Sequence, residues 1–221
     1  MKLRSFSLIF VFLLLTFNFV FAARPLSTDD TGTTPKEKWK LEAYGESYEG
    51  TSSIGVVGKY GFTDSFEISA GASLRSTGSS SGRGPIRIKG KYRIMDEKGT
   101  TPSFGVSGSL SIPEAGDSTI IVNGIMTDTM RDFTYHLNLG LTLIGSSNGL
   151  SYSGAVDYPL NRDFNVVGEL NGGNLGSTST PSALIGGKWK IKSNMTLDGG
   201  FRIALNENDS SGITIGLTTL L

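Results

Sequence analysis

The chain has 221 residues, no cysteine, one histidine, 30 glycines, 18% charged side chains and a formal charge of zero. Without thiols there is no disulfide, thiolate metal site or thiol nucleophile, and without net positive charge there is no electrostatic case for nucleic acid as a partner. The glycine share is about twice the usual one and carries no collagen period, which suits strands and tight turns better than helices.

Residues 1–23 differ in kind from the rest. Lys2 and Arg4 precede an apolar run from Phe6 to Phe21, and Ala22 and Ala23 offer small residues for cleavage. This pattern predicts a secretory signal peptide that the mature protein lacks. Residues 24–38 then form an extended segment ahead of one domain, residues 39–221. Beyond residue 24 no apolar run is long enough for a spanning helix, so a mature membrane protein could only be a β-barrel or a surface-attached protein.

From Trp39 onward, segments of about ten residues alternate between apolar and polar with period two. Phe66, Ile68, Ala70, Ala72 and Leu74 share one face; so do Ile86, Ile88, Tyr92 and Ile94, with four cations on the other. Residues 133–143 alternate throughout. Twelve strands are expected, near 39–48, 53–61, 66–76, 85–94, 103–112, 118–127, 133–144, 150–160, 164–171, 182–191, 195–205 and 212–221. Their length and even number predict an all-β fold, an antiparallel up-and-down transmembrane β-barrel of about twelve strands. The connections at 62–65, 161–163 and 192–194 are tight, while those at 77–84, 172–181 and 206–211 are long and rich in Gly, Ser and Asn. Short periplasmic turns and longer outer loops give this rhythm. It breaks at 95–102, long where a turn is expected, and at 145–149, short where a loop is expected.

A soluble barrel turns its apolar face inward, and a membrane barrel turns it out to lipid. The aromatics favour the second arrangement. Trp39, Tyr60, Phe66, Tyr92, Phe104, Phe133, Tyr135, Tyr158, Phe164 and Trp189 gather on the apolar face beside the tight turns. There their apolar bodies would sit in hydrocarbon and their polar edges would reach headgroups.

The polar face would line the lumen. Its sharpest feature is the row Arg87, Lys89, Lys91 and Arg93, with Lys188 and Lys190 on a strand across the barrel. Acids come from Glu42, Glu46, Glu67, Asp157, Glu169 and Asp198. Two readings stand side by side: a charged constriction that selects small solutes, and an internal salt-bridge network that closes the barrel. Asp29 and Asp30 could bring the 24–38 segment into the inner mouth to meet the basic row. Because termini are usually loose, a solvated leader is the favoured expectation. His136, on the polar face beside Asn138, admits a third reading, an outer-membrane hydrolase with a serine nucleophile. Serines are so plentiful that their proximity carries no information. No cofactor and no metal are expected: one histidine without cysteine makes a poor transition-metal site, and residues 206–210 lack the form of a calcium loop.

The opening Arg24-Pro25-Leu26-Ser27-Thr28-Asp29-Asp30-Thr31-Gly32, followed by Lys38-Trp39-Lys40-Leu41-Glu42, is the most specific stretch. With Leu110-Ser111-Ile112-Pro113, Gly116-Asp117 and residues 152–160 it resembles the outer-membrane transporters linked to the meta-pathway of phenol degradation. The likeness spans nearly the whole mature chain. It implies a β-barrel with a transport role, and no catalytic residues. The expected protein is exported to the outer membrane of a Gram-negative cell. Its partners there would be outer-membrane lipid, the assembly machinery, and a small polar, anionic or aromatic solute. The expected function is passive passage of small solutes; the alternative is a closed structural or interaction barrel.

Overall fold

The computed structural model describes residues 24–78, 80–175, 178–207 and 210–221; the signal-peptide expectation for 1–23 lies outside them. Among the described residues there is no helix, and the strands run in chain order β1 (Trp39–Tyr48), β2 (Thr51–Thr63), β3 (Phe66–Thr77), β4 (Ser80–Arg83), β5 (Ile86–Met95), β6 (Ser103–Ile112), β7 (Thr119–Met130), β8 (Phe133–Ile144), β9 (Ser147–Pro159), β10 (Phe164–Leu175), β11 (Thr178–Ser179), β12 (Ser182–Lys192), β13 (Met195–Ala204) and β14 (Gly212–Leu220). Each pairs antiparallel with its neighbour, and β14 pairs β1 from Lys40↔Leu220 to Tyr48↔Gly212. The result is a closed barrel of twelve strands, with β4 folded back on β3 and β11 on β10.

The expected strands all form; β2 and β7 run two and three residues farther at the turn side, and the larger differences lie at the loop ends. The stretches 77–84 and 172–181, loops by their composition, contain β4 and the β10–β11 extension. Ser, Gly and Thr runs carry no apolar–polar contrast, so alternation does not reveal ladders that backbone hydrogen bonds alone sustain. The connection at 145–149 shrinks to Gly145 and Ser146. At the β1–β2 hairpin Glu49 and Gly50 both take positive φ, 24° and 80°, the conformation that lets a two-residue loop follow the strand twist.

Burial is inverted relative to a soluble protein. Ile54, Leu139 and Leu170 are 63–65% exposed on the outer surface, whereas Glu67, Lys91, His136, Glu169 and Asp198 are buried inside. Apolar outside and polar inside is the arrangement of a barrel in lipid. The one buried apolar cluster among the described residues is small: Ala155, Val167 and Leu184 on three adjacent strands, covered by Leu26. Leu26 belongs to the N-terminal segment, which is therefore inside the barrel.

Candidate functional site

The segment 24–38 is not a solvated leader. It follows the inner wall around nearly the whole barrel, its backbone amides meeting the strands in descending order from β10 to β2. Arg24 reaches β14 at Thr214 and β1 at Glu46, 3.2 Å away, with its guanidinium 4.4 Å from the Tyr44 ring centroid. The amides of Ser27 and Thr28 both donate to one oxygen of Glu169 on β10, at 2.7 and 2.8 Å. Asp29 exchanges two hydrogen bonds with the Asn138 carboxamide on β8, 2.8 and 2.9 Å. The Thr31 amide donates to Thr127 on β7. Thr34 gives both its amide and its hydroxyl to Glu67 on β3, at 2.7 and 2.8 Å. Finally the Glu37 amide donates to the Gly61 carbonyl of β2 at 2.7 Å.

The physical reason is the backbone. An extended segment without ladder partners must satisfy its N–H groups elsewhere once it leaves water. Carboxylates projecting from the strands are strong acceptors for that purpose. Two ion pairs add to the hold. Lys89 binds the Asp29 carboxylate, which also accepts from Ser107. Lys91 lies 3.3 Å from Asp30 and 3.5 Å from Glu67. Burial alone would raise the Asp30 carboxyl, but Lys91, with His136, Lys40 and Lys188 farther off, outweighs it and holds the group well below the usual carboxylate range.

On the loop side of this belt lies a cavity of about 980 Å³. Arg24, Ser27 and Asp29 form its floor. Arg87, the serines of β6 and Asn123 line one wall, and Arg202 stands nearly across from them. The geometry is that of a polar tube, narrowed on its turn side by a ring of backbone and open to a chamber on its loop side.

The family model described as "Putative MetA-pathway of phenol degradation" matches residues 22–216. The chain belongs to that family. No curated protein matches it by sequence. Among solved structures, the NanC porin has a TM-score of 0.68 at 11% identity, covering 81% of this chain and 98% of its own. The KdgM porin gives 0.66 at 13%, with the same coverage. The COG4313 outer membrane channel from Pseudomonas putida F1 gives 0.67 at 10%, covering 89% of this chain and all of its own. At these identities the likeness is one of fold, a porin-like twelve-strand barrel.

Within this member of the family, the charges singled out in the sequence have unequal surroundings. In the basic row, Lys89 and Lys91 hold the belt, while Arg93 pairs with Asp96 at 2.6 Å and donates to the Asp64 carbonyl at the turn side. Lys188 pairs with Asp157 at 2.7 Å, two strands away on the same wall rather than across the lumen. Lys190 is exposed at its strand end. Glu42 takes Lys59 at 2.7 Å, and Asp198 lies 3.8 Å from Arg24. Glu46, Glu67 and Glu169 accept from the belt. His136 is buried, with Nδ1 3.0 Å from the Thr127 hydroxyl that receives the Thr31 amide, so it serves the belt too.

The aromatics stand on the outer face at the turn end. Register sets Trp39 opposite Tyr60, Phe66 opposite Tyr92 and Phe164 opposite Trp189. Trp39 and Tyr60 centroids are 5.0 Å apart, and Phe133 packs 4.7 Å from Tyr158 and 6.1 Å from Tyr135. Phe104 is 38% exposed on the same face. Phe62, 4.9 Å from Tyr60, joins them although the strand pattern puts it in a turn. Lys59 and Thr127 are site residues that the sequence does not single out, and Asn138 enters there only as a neighbour of His136. Their polar-face positions are visible there, but not the segment that gives Asn138 and Thr127 their partners.

Proposed function

We propose that the barrel is an outer-membrane channel for passive diffusion of small solutes, with the 24–38 belt as its internal constriction. The observation that carries this reading is a polar lumen holding a chamber of about 980 Å³ beneath an apolar outer surface. Export by the signal peptide of residues 1–23 and insertion by the assembly machinery of a Gram-negative cell would bring the chain to that membrane. The turn-side aromatics would then meet its periplasmic interface. Diffusion through such a tube needs no cofactor and no covalent step. The porin and channel neighbours support the reading through their fold. A second reading, a barrel kept closed by the belt, is favoured by the number of holds between belt and wall.

One experiment separates the two. The refolded mature chain in planar bilayers should give discrete conductance steps, and a Δ24–35 variant should give steps several-fold larger. Absence of steps from both proteins would overturn the channel reading. Steps in the variant alone would establish the closed barrel. Heat-modifiable gel migration of each protein reports that the barrel has formed.

A further inference from the structure

We propose that the loop-side chamber holds a subsite for a small hydroxylated carboxylate, anchored by Arg87. The subsite rests on the channel reading and names the solute class that the same chamber would favour.

Three of the four cations in the basic row are already compensated. Lys89 is neutralised by Asp29, Lys91 by Asp30 and Glu67, and Arg93 by Asp96. Among the described residues, Arg87 has neither an acidic partner nor a hydrogen bond. It is an exposed side chain that lines the chamber. The acids that line the same chamber, Asp29 and Glu42, are taken by Lys89 and Lys59. A cation left unpaired in a confined chamber is a standing attraction for an anion.

The surroundings of Arg87 leave room for one. Its register partners are Gly71 on β3 and Ser111 on β6, both small. Ser107, Ser109 and Ser111 rise along β6 beside it and face the chamber, followed by Asn123 on β7. A guanidinium presents a planar fork that fits a carboxylate through two parallel hydrogen bonds. Hydroxyls and a carboxamide in a row suit the hydroxyl groups of the same molecule. Nearly across the chamber, Arg202 donates to Ser182 at 3.0 Å and lies 5.7 Å from the Tyr48 ring centroid. The combination selects an acid that also carries hydroxyls, over a neutral sugar and over a bare apolar solute.

The test is equilibrium binding to the detergent-refolded mature chain, which does not depend on conduction. Glucuronate and glucose are titrated calorimetrically into wild type, Arg87→Gln, Arg87→Lys and, as a remote cation at the turn side, Arg131→Gln. Wild type and Arg131→Gln should bind glucuronate at least tenfold more tightly than glucose. Arg87→Gln should lose that preference. Arg87→Lys, which keeps the charge without the fork, should fall between. Equal affinities for the two ligands in wild type, undetectable binding of both, or an Arg87→Gln variant within twofold of wild type would each overturn the subsite. If bilayers show no conductance but glucuronate binding depends on Arg87, the channel reading fails and the subsite stands. Conductance without that binding sustains the channel and overturns the subsite.

Discussion

Gly61 faces the lumen on β2, where the carbonyl oxygens of Thr34 and Pro35 pass so close that a Cβ would overlap both. A Gly61→Ala variant must push the belt away from the wall, an overpacking cost of about 1–3 kcal/mol. The expected outcome is faster deuterium exchange at the Glu37 amide, with barrel formation unchanged on gels. Glu169 carries a different kind of hold. Charge-assisted hydrogen bonds are roughly twice as strong as neutral ones, so Glu169→Gln should weaken the Ser27–Thr28 attachment by about 1–2 kcal/mol and speed exchange there roughly tenfold. Asp30 sets the response to acid. Its carboxyl is lowered in the docked belt, so its contribution is full above the ordinary aspartate value and is lost as pH falls below it toward the docked one. Conductance should rise on acidification in that range, and Asp30→Asn should raise it already at neutral pH and flatten the acid response. At this scale the sequence is half legible. Asp29, Asp30 and the basic row stand out as charges, but Glu67, Glu169 and Asn138 come from strands distant in sequence, and no local pattern marks a carboxylate that will accept an amide.

The belt is the element whose fate the sequence hides. Nothing in residues 24–38 alternates, caps or turns in a way that foretells docking, and the general looseness of termini argues for a solvated leader. The acid pair Asp29 and Asp30 is the one hint otherwise, and the cover that Leu26 gives Val167 and Leu184 shows only in the fold. The strands are legible because period two is enforced twice, by lipid outside and by polar lumen inside. Where both constraints fade, at the Ser- and Gly-rich loop ends, β4 and β11 leave no mark in the pattern. The basic row looks like one feature and is three: Lys89 and Lys91 fasten the belt, Arg93 closes the rim with Asp96, and Arg87 faces the chamber.

For the whole molecule, the decisive property is the outward apolar surface. Leu139, in the middle of β8, is 65% exposed. Replacing it with arginine would place a charge near mid-bilayer, a destabilisation of about 2–4 kcal/mol in lipid and close to none in water. Urea unfolding of Leu139→Arg in vesicles should show that loss; an unchanged midpoint would count against the lipid face. Family membership and the aromatic band are readable from the sequence, because both depend on side chains in fixed positions along the strands. The state of the lumen is not, because it depends on which groups meet across the width of the barrel.

The descending order in which the belt meets its strands also bears on time. In a mature chain that begins at Arg24, as the sequence leads one to expect, the belt is joined covalently to the barrel only through Lys38 and Trp39, so it would come away as tape does, from Arg24 inward. Each contact released, first at Glu46, then Glu169, then Asn138, frees a further arc of wall while Thr34 still holds to Glu67. Current through a single barrel would then move on a staircase of sublevels instead of toggling between two. The lifetime of each tread would report one named contact, and a substitution at Glu169 would shorten one tread and leave the later ones as they were.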